Sequence, residues 1–231
     1  MSDLDFYNAF GAELNSASQT VTSTVGNGEG NFIGGNVITE GSQSVGGSSP
    51  FGYGGENVGS QTVSATVANG EGNFVGGNVV TEGHQSVGDH GYSPFGLGGE
   101  NIGSQNVSST VANGEGNFVG GNVVTEGSQS VGGHGFGPFG FGGENIGSQN
   151  VSSTVANGLG NAVGGNVITE GHQSVGDHGF LSPLGLGGEN IGAQSVNATV
   201  ANGAFNFVGG SVVTEGHQSV GDHGLALHAF H

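Results

Sequence analysis

Residues 56–91 read ENVGSQTVSATVANGEGNFVGGNVVTEGHQSVGDHG, and near-copies of this stretch fill most of the chain. A repeat of this length cannot bury an apolar face alone, so it gains stability by stacking on its neighbours. The repetition therefore predicts one tandem array rather than one or two globular domains. An N-terminal segment covers residues 1–12, and an apolar tail covers residues 225–231. The five repeats between them cover residues 13–55, 56–99, 100–143, 144–188 and 189–224.

Within a repeat the apolar residues alternate with hydroxyl residues. Val63, Ala65 and Val67 fall on one face of an extended segment, which is typical of a strand with one buried side. Asn69-Gly70 is a strong turn signal, and the 54 glycines of the chain disfavour helix. We predict an all-β fold, a β-solenoid or cross-β stack with glycine corners. Each repeat has three or four short strands, of which the third ends at Gly83 and the fourth, if formed, covers residues 85–88.

The composition excludes several partners. The chain has no Lys or Arg and a formal charge of −18, so it cannot neutralise nucleic acid or anionic lipid. No apolar stretch is long enough to predict a transmembrane helix. Residues 1–15 lack the basic and apolar regions of a cleaved signal peptide, so export without cleavage is expected if the protein is extracellular.

Equivalent residues form columns when equivalent strands lie one above another, and several columns carry amides. A side-chain amide is both donor and acceptor, so a column spaced ~4.8 Å apart can hydrogen-bond along its length. For Asn69 and Asn73 the alternative is a role in turns. The predicted ladder residues are Asn69, Asn113, Asn157, Asn202, Gln61, Gln105, Gln149, Gln194, Gln85, Gln129, Gln173 and Gln218.

These repeats, from residue 19 to residue 221, resemble bacterial functional-amyloid subunits of the curli type. Curli repeats are also rich in Gly, Asn and Gln, and each forms a strand, a turn and a strand that stack into fibres. The repeat here is longer, and its Gln and Asn residues keep a different spacing. The resemblance implies an extracellular cross-β fibre.

A second resemblance is to the glycine-rich nonapeptides of secreted calcium β-rolls, carried by GEGNFVGGNVV at residues 70–80. Asn73 and Asn78 stand where the β-roll has a ligating Asp, and calcium prefers charged oxygens. The resemblance thus implies weak calcium sites, and the expected cofactor is either none or Ca²⁺. The candidate metal ligands are Glu71, Glu82, Glu115, Glu126, His84, His90, His172 and His178.

Carboxylates also recur at equal positions, as at Glu82 and Glu126. Stacked like charges raise one another's pKa, so mild acid or divalent cations are expected to favour assembly; alternatively, these side chains face water and keep a fibre soluble. Histidines close to carboxylates suggest zinc or copper binding. However, Ser42 and Ser128 replace the first histidine in two repeats, which favours exposed histidines that offset the acidic charge.

Ser, His and Asp recur in the copies, whereas an active site is a unique constellation in one cleft, so we predict a non-enzyme. The leading hypothesis is a structural subunit of an extracellular fibre, in a biofilm matrix or surface filament, that polymerises head to tail with itself as partner. Residues 1–12 and 225–231 are the expected docking segments. The tail also resembles uncleaved secretion signals, which implies an export system. The alternatives are a calcium-dependent β-roll or adhesin module and a disordered protectant.

Overall fold

The computed structural model describes the five repeats and part of the junctions between them. The expected docking segments 1–12 and 225–231 lie outside the described part of the chain. The prolines in the four junctions between repeats, Pro50, Pro94, Pro138 and Pro183, also lie outside it. The described residues are 14–46, 55–88, 90–92, 99–136, 143–180, 188–221 and 223–224.

All regular structure in these residues is β-strand, and the strands form five successive coils. Coil 1 contains β1 (Leu14–Val25), β2 (Phe32–Ile33) and β3 (Val37–Val45). Coil 2 contains β4 (Glu56–Val67), β5 (Phe74–Val75), β6 (Val79–Val87) and β7 (His90–Tyr92). Coil 3 contains β8 (Glu100–Val111), β9 (Phe118–Val119), β10 (Val123–Val131) and β11 (His134–Phe136). Coil 4 contains β12 (Glu144–Val155), β13 (Ala162–Val163), β14 (Val167–Val175) and β15 (His178–Phe180). Coil 5 contains β16 (Asn190–Val200), β17 (Phe207–Val208), β18 (Val212–Val220) and β19 (His223–Gly224).

Equivalent strands of successive coils pair in parallel and in register. The long strands form one five-stranded sheet in the order β1-β4-β8-β12-β16, and β3, β6, β10, β14 and β18 form a second. The two-residue strands form a third five-stranded sheet, and β7, β11, β15 and β19 form a sheet of four. Gln61 pairs with Gln19 and Gln105, so each residue lies between its own equivalents. The predicted β-solenoid architecture is confirmed.

Glycines lie inside the strands of both large sheets, and this corrects one sequence-based expectation. The prediction that the third run ends at Gly83 is wrong, because β6 continues to Val87. A Cβ atom at Gly83 would lie 2.5 Å from Cγ2 of Val107 on the facing sheet. The strand therefore needs glycine at this position, since a valine of the opposite sheet fills the space of its side chain.

The corner after each long strand is a turn with left-handed backbone. In coil 2, φ is 55° at Ala68 and 139° at Gly70. The side chain of Asn73 closes this turn, because its Nδ2 donates to the carbonyl oxygen of Ala68 at 2.7 Å and to that of Gly70 at 2.5 Å. The Asn-Gly signal thus marks the real position of a turn.

The core is a thin layer between the long-strand sheet and the sheet of β3, β6, β10, β14 and β18. Val63, Ala65 and Val67 are buried as the alternation predicts, and Thr62 and Thr66 on the other face are partly exposed. The core valines fall into three separate clusters, one of them made of Val63, Val107 and Val151. Buried amides, including Gln61, accompany these valines in the interior. Polar rows inside this layer must therefore satisfy their own hydrogen bonds.

Candidate functional site

Two glutamine ladders run through the interior of the solenoid. In the first, Nε2 of Gln61, Gln105 and Gln149 donates to Oε1 of the glutamine one coil earlier at 2.8 Å. Gln194 continues this ladder with a bond of 2.8 Å to Gln149. The second ladder joins Gln43, Gln85, Gln129, Gln173 and Gln218 by bonds of 2.7 to 2.8 Å.

Seven of the ladder glutamines, from Gln61 to Gln194, also bond to the backbone of the facing sheet. Nε2 of Gln61 donates to the carbonyl oxygen of His84 at 3.0 Å, and Nε2 of Gln85 donates to that of Ser104 at 3.1 Å. An amide has two N–H donors, and both are used here. The ladders therefore hold the two large sheets together as well as the coils.

The glutamine ladders have a direction, because every donor points towards the preceding coil. In the first coil, Gln43 is only 8% exposed. Its Nε2 atom is buried and has no hydrogen-bond partner. At the other end, Oε1 of Gln218 receives no donor from the described residues. The ladder thus begins with an unmatched donor and ends with an unmatched acceptor.

A third interior ladder was not predicted from the sequence. Nδ2 of Asn57 and of Asn101 each donates to Oδ1 of the asparagine in the next coil at 2.8 Å. Asn15 and Asn145 extend the row at its two sides, with bonds of 3.0 and 2.8 Å. These donors point towards the following coil, opposite to the glutamines. The sequence contains a signal for this ladder: Asn57 lies an even number of residues before Gln61, so both side chains lie on the same face of the strand.

The two asparagine columns near the turn behave differently from each other. Nδ2 of Asn113 donates to Asn69 at 3.1 Å, and Nδ2 of Asn157 donates to Asn113 at 3.2 Å, at the partly exposed corner. Asn202 lies at the same position in coil 5, where its backbone carbonyl accepts a hydrogen bond from Gly158. Asn73 uses its amide within its own turn, so the turn alternative is correct for that column.

Hydroxyl pairs link the facing sheets beside the ladders. Ser109 and Thr125 lie 2.6 Å apart, and so do Ser153 and Thr169. In coil 2 the serine is replaced by Ala65, and the buried hydroxyl of Thr81 has no partner. Coil 2 therefore lacks a hydrogen bond that coils 3 and 4 make.

The last described coil exposes side chains that are core in the other coils. Val212 and Val220 are 46% and 44% exposed. Their equivalents Val79, Val123, Val167, Val87, Val131 and Val175 are 0 to 1% exposed. One face of coil 5 is thus an interior surface that no further coil of the described residues covers.

Glutamates and histidines share the outward face of the second large sheet. His84 Nε2 lies 3.9 Å from Glu82 Oε2, and the corresponding distance from His217 to Glu215 is 3.6 Å. Burial raises the pKa of Glu126 above the ordinary value of a glutamate, and the like charges of Glu82 and Glu170 add to this effect. The predicted influence of stacked carboxylates is therefore present at Glu126.

The candidate metal ligands are spread over separate surfaces. Glu71 and Glu115 lie exposed in turns, whereas Glu82, Glu126, His84 and His172 lie on the outward face of the second sheet. His90 and His178 belong to the short strands β7 and β15. Within the described ranges, no group of three or more His, Asp or Glu side chains is arranged to hold a metal ion.

Comparison of the chain with protein-family models, with curated proteins and with solved structures found no match. Among the described residues there is no helix with the length and apolarity needed to cross a membrane. The amide ladders and the faces of the first and last described coils are therefore the features of the molecule that point to a function.

Proposed function

We propose that the protein is a structural subunit of a self-assembling fibre, in which the first coil of one copy stacks on the last coil of another. The observation that carries the proposal is the polarity of the second glutamine ladder. Gln43 has an unmatched buried donor, and Gln218 has an unmatched acceptor. A second copy in the same register gives each of them its partner.

The apolar surface of coil 5 supports the same arrangement. Val212 and Val220 would be covered by the first coil of the next copy, as their equivalents are covered inside one chain. Burial of a valine side chain contributes roughly 1.5 kcal/mol or more, and an unmatched buried donor costs about 1–3 kcal/mol. Both effects favour association of unlike ends.

The outer strands of the sheets supply the backbone part of the contact. β1 lies at one edge of the long-strand sheet and β16 at the other, and both edges carry hydrogen-bonding groups that face along the solenoid. Pairing of one edge with the opposite edge of a second copy is a head-to-tail contact. Such a contact does not close on itself, so it generates a filament.

We extend the proposal to an extracellular fibre, in a biofilm matrix or as a surface filament, reached through an export system. Its support is the resemblance of the repeats to curli-type subunits. A structural rather than catalytic role agrees with side chains that recur from coil to coil, because a catalytic group acts at one unique site.

A lysine at the end surface tests the proposal. Val220→Lys places a charge where the next copy would stack, and burying an unpaired charge costs several kcal/mol. The control Thr199→Lys adds the same charge to the same coil but on its exposed outer face. We expect wild-type protein and Thr199→Lys to form sedimenting fibres seen by electron microscopy. Val220→Lys should stay monomeric, with an unchanged β-type circular dichroism spectrum.

Two results would refute the fibre. One is a wild-type chain that stays monomeric at high concentration. The other is a Val220→Lys variant that polymerises as fast as Thr199→Lys.

A further inference from the structure

Phenylalanine rings form an outward column on the sheet of two-residue strands. The rings of Phe32 and Phe74 are stacked with centroids 5.0 Å apart, and those of Phe74 and Phe118 are 4.9 Å apart. The ring planes differ by only 9° and 5°. Coils 1 to 3 therefore each add one ring to a continuous stack.

The column is interrupted in coil 4, where Ala162 occupies the phenylalanine position, and it resumes at Phe207 in coil 5. Elsewhere each ring lies over the glycine two residues later; a Cβ atom at Gly209 would lie 3.2 Å from Phe207 Cε1. At Gly164 of coil 4, the nearest ring atom to such a Cβ is Cε2 of Phe118, at 3.9 Å. In coil 4, no side chain of that coil therefore occupies the position over Gly164 that a phenylalanine ring occupies in the other coils.

The size of this gap matches one aromatic ring. Phe118 and Phe207 are separated by two coil rises, which is about 9.6 Å at the usual strand spacing. A guest ring at the midpoint lies about 4.8 Å from each neighbour, within the ~4.5–7 Å range favoured by stacked rings. Phe118 and Phe207 are 41% and 68% exposed, so both flanking rings are open to a guest.

The turns that precede Ala162 and Phe207 in the sequence are more apolar than the same turns in coils 1 to 3. Coils 1 to 3 carry glutamate in the adjacent turn, whereas coils 4 and 5 carry Leu159 and Ala204. Phe205 is 84% exposed and has φ of 67°, at a position that is glycine in every other coil. A bulky residue at positive φ is strained, and such strain clusters at functional sites.

We propose that Phe118, Leu159, Ala162, Phe205 and Phe207 form an aromatic notch that binds a planar aromatic molecule with a positive charge. The flanking rings provide stacking surface for a flat guest. The positive charge follows from the formal charge of −18 and the absence of Lys and Arg, because a cation is attracted to this surface and an anion is repelled. Cations also interact favourably with the faces of aromatic rings.

Thioflavin T, a planar aromatic cation, serves as the probe, titrated by calorimetry against the full-length chain. Two variants restore the pattern of the other coils at the notch. Ala162→Phe fills the gap, and Phe205→Gly removes one apolar side chain and relieves its strained φ. We expect one site per chain, a loss of affinity of at least tenfold for Ala162→Phe and a smaller loss for Phe205→Gly. Both variants should melt at or above the wild-type temperature, so a loss of binding is not a loss of folding.

The control Ala162→Ser keeps the notch open and should bind the probe as wild type does. An anionic naphthalene dye of similar size should bind at least tenfold more weakly than the cation. The proposal is overturned if Ala162→Phe binds thioflavin T with wild-type affinity and stoichiometry, or if the anionic dye binds equally well. It is also overturned if Ala162→Phe changes self-association but not dye binding. Because the notch lies on the side of the solenoid, the lysine variants at the coil end test the fibre separately.

Discussion

In coil 1, the side chain of Ile33 takes up the space that a methyl group on residue 26 would need. A Cβ atom built at Gly26 would lie 2.6 Å from Cδ1 of Ile33. In the other coils, the position of Gly26 is an alanine and the position of Ile33 is the smaller valine, so both side chains fit into the same space. These pairs are Ala68 with Val75, Ala112 with Val119, Ala156 with Val163 and Ala201 with Val208.

This relationship predicts a strong coupling in a double-mutant cycle. Gly26→Ala alone overpacks the corner and should cost about 1–3 kcal/mol. Ile33→Val alone removes a methyl group and should cost roughly 0.5–1.5 kcal/mol. The double variant recreates the pair of coil 2, so its loss of free energy of unfolding in urea should be smaller than the sum of the two single losses. A backbone cost of about 1–2 kcal/mol remains in it, because residue 26 has a left-handed φ of 68°. Simple addition of the two single losses would contradict the packing described here.

Ala65→Ser should stabilise the protein, because the new hydroxyl can bond to the unpaired hydroxyl of Thr81. A hydrogen bond of this kind contributes about 0.5–1.5 kcal/mol. The matched control is Ala198→Ser in coil 5, whose opposite residue Thr214 is exposed and can be hydrated. Thermal unfolding should show a higher Tm for Ala65→Ser and almost no change for Ala198→Ser. A lower Tm for Ala65→Ser would count against the hydroxyl pairing of the two sheets.

A methyl group on an interior strand glycine should be far more damaging than one at the open end. At Gly127 it would meet Cγ2 of Val151 at 2.5 Å, whereas at Gly216 the distance to Cγ2 of Val196 is 3.3 Å. We expect Gly127→Ala to lose about 1–3 kcal/mol by overpacking, and Gly216→Ala to lose clearly less. The two free energies of unfolding, measured by urea titration, should differ in this order; equal losses would show that the sheets do not interdigitate.

The raised pKa of Glu126 predicts a pH-dependent gain on its neutralisation. A carboxyl with a raised folded-state pKa holds its proton more tightly in the folded chain than in the unfolded chain. The stability of the fold therefore falls as the pH rises from the ordinary pKa of glutamate through the raised pKa of Glu126. Glu126→Gln should therefore raise Tm at pH 7, and the gain should shrink as the pH falls through the raised pKa of Glu126 and be absent below about 4.3, the ordinary pKa of glutamate. Glu215→Gln is the control, since Glu215 has a stacked glutamate on one side only within the chain. If Glu126→Gln gave the same Tm gain at pH 7 and below about pH 4.3, the ionised carboxylate would not be the cause of the gain.

The solenoid was predictable from the sequence, because every repeat shows the same alternation of apolar and hydroxyl residues. Val63 and Val67 lie where the period of two places them, and Asn69-Gly70 marks a real turn. The strand lengths were not predictable from local signals, since Gly83 is a usual strand end unless a valine on the facing sheet requires a glycine there. That valine belongs to another coil, so only the packed structure reveals it.

The amides show the same limit at the level of the candidate site. The sequence places Gln61 on the interior face of a strand, but it does not reveal which neighbour an amide will choose. Asn73 finds carbonyl groups within its own turn, and these local acceptors replace the amides of the adjacent coils. Asn57 forms an interior ladder because the strand begins earlier than its valines suggest. Ladder polarity, which carries the functional proposal, is a property of the stacked coils alone.

The most direct test of the head-to-tail account is the axial repeat of the fibre, measured by electron cryomicroscopy and by diffraction from aligned fibres. Copies that continue the five-coil register should give a meridional spacing of about 4.8 Å and one subunit about every 24 Å along the axis. Fibres whose strands run along the axis, or whose subunit spacing does not correspond to five coil rises, would contradict it.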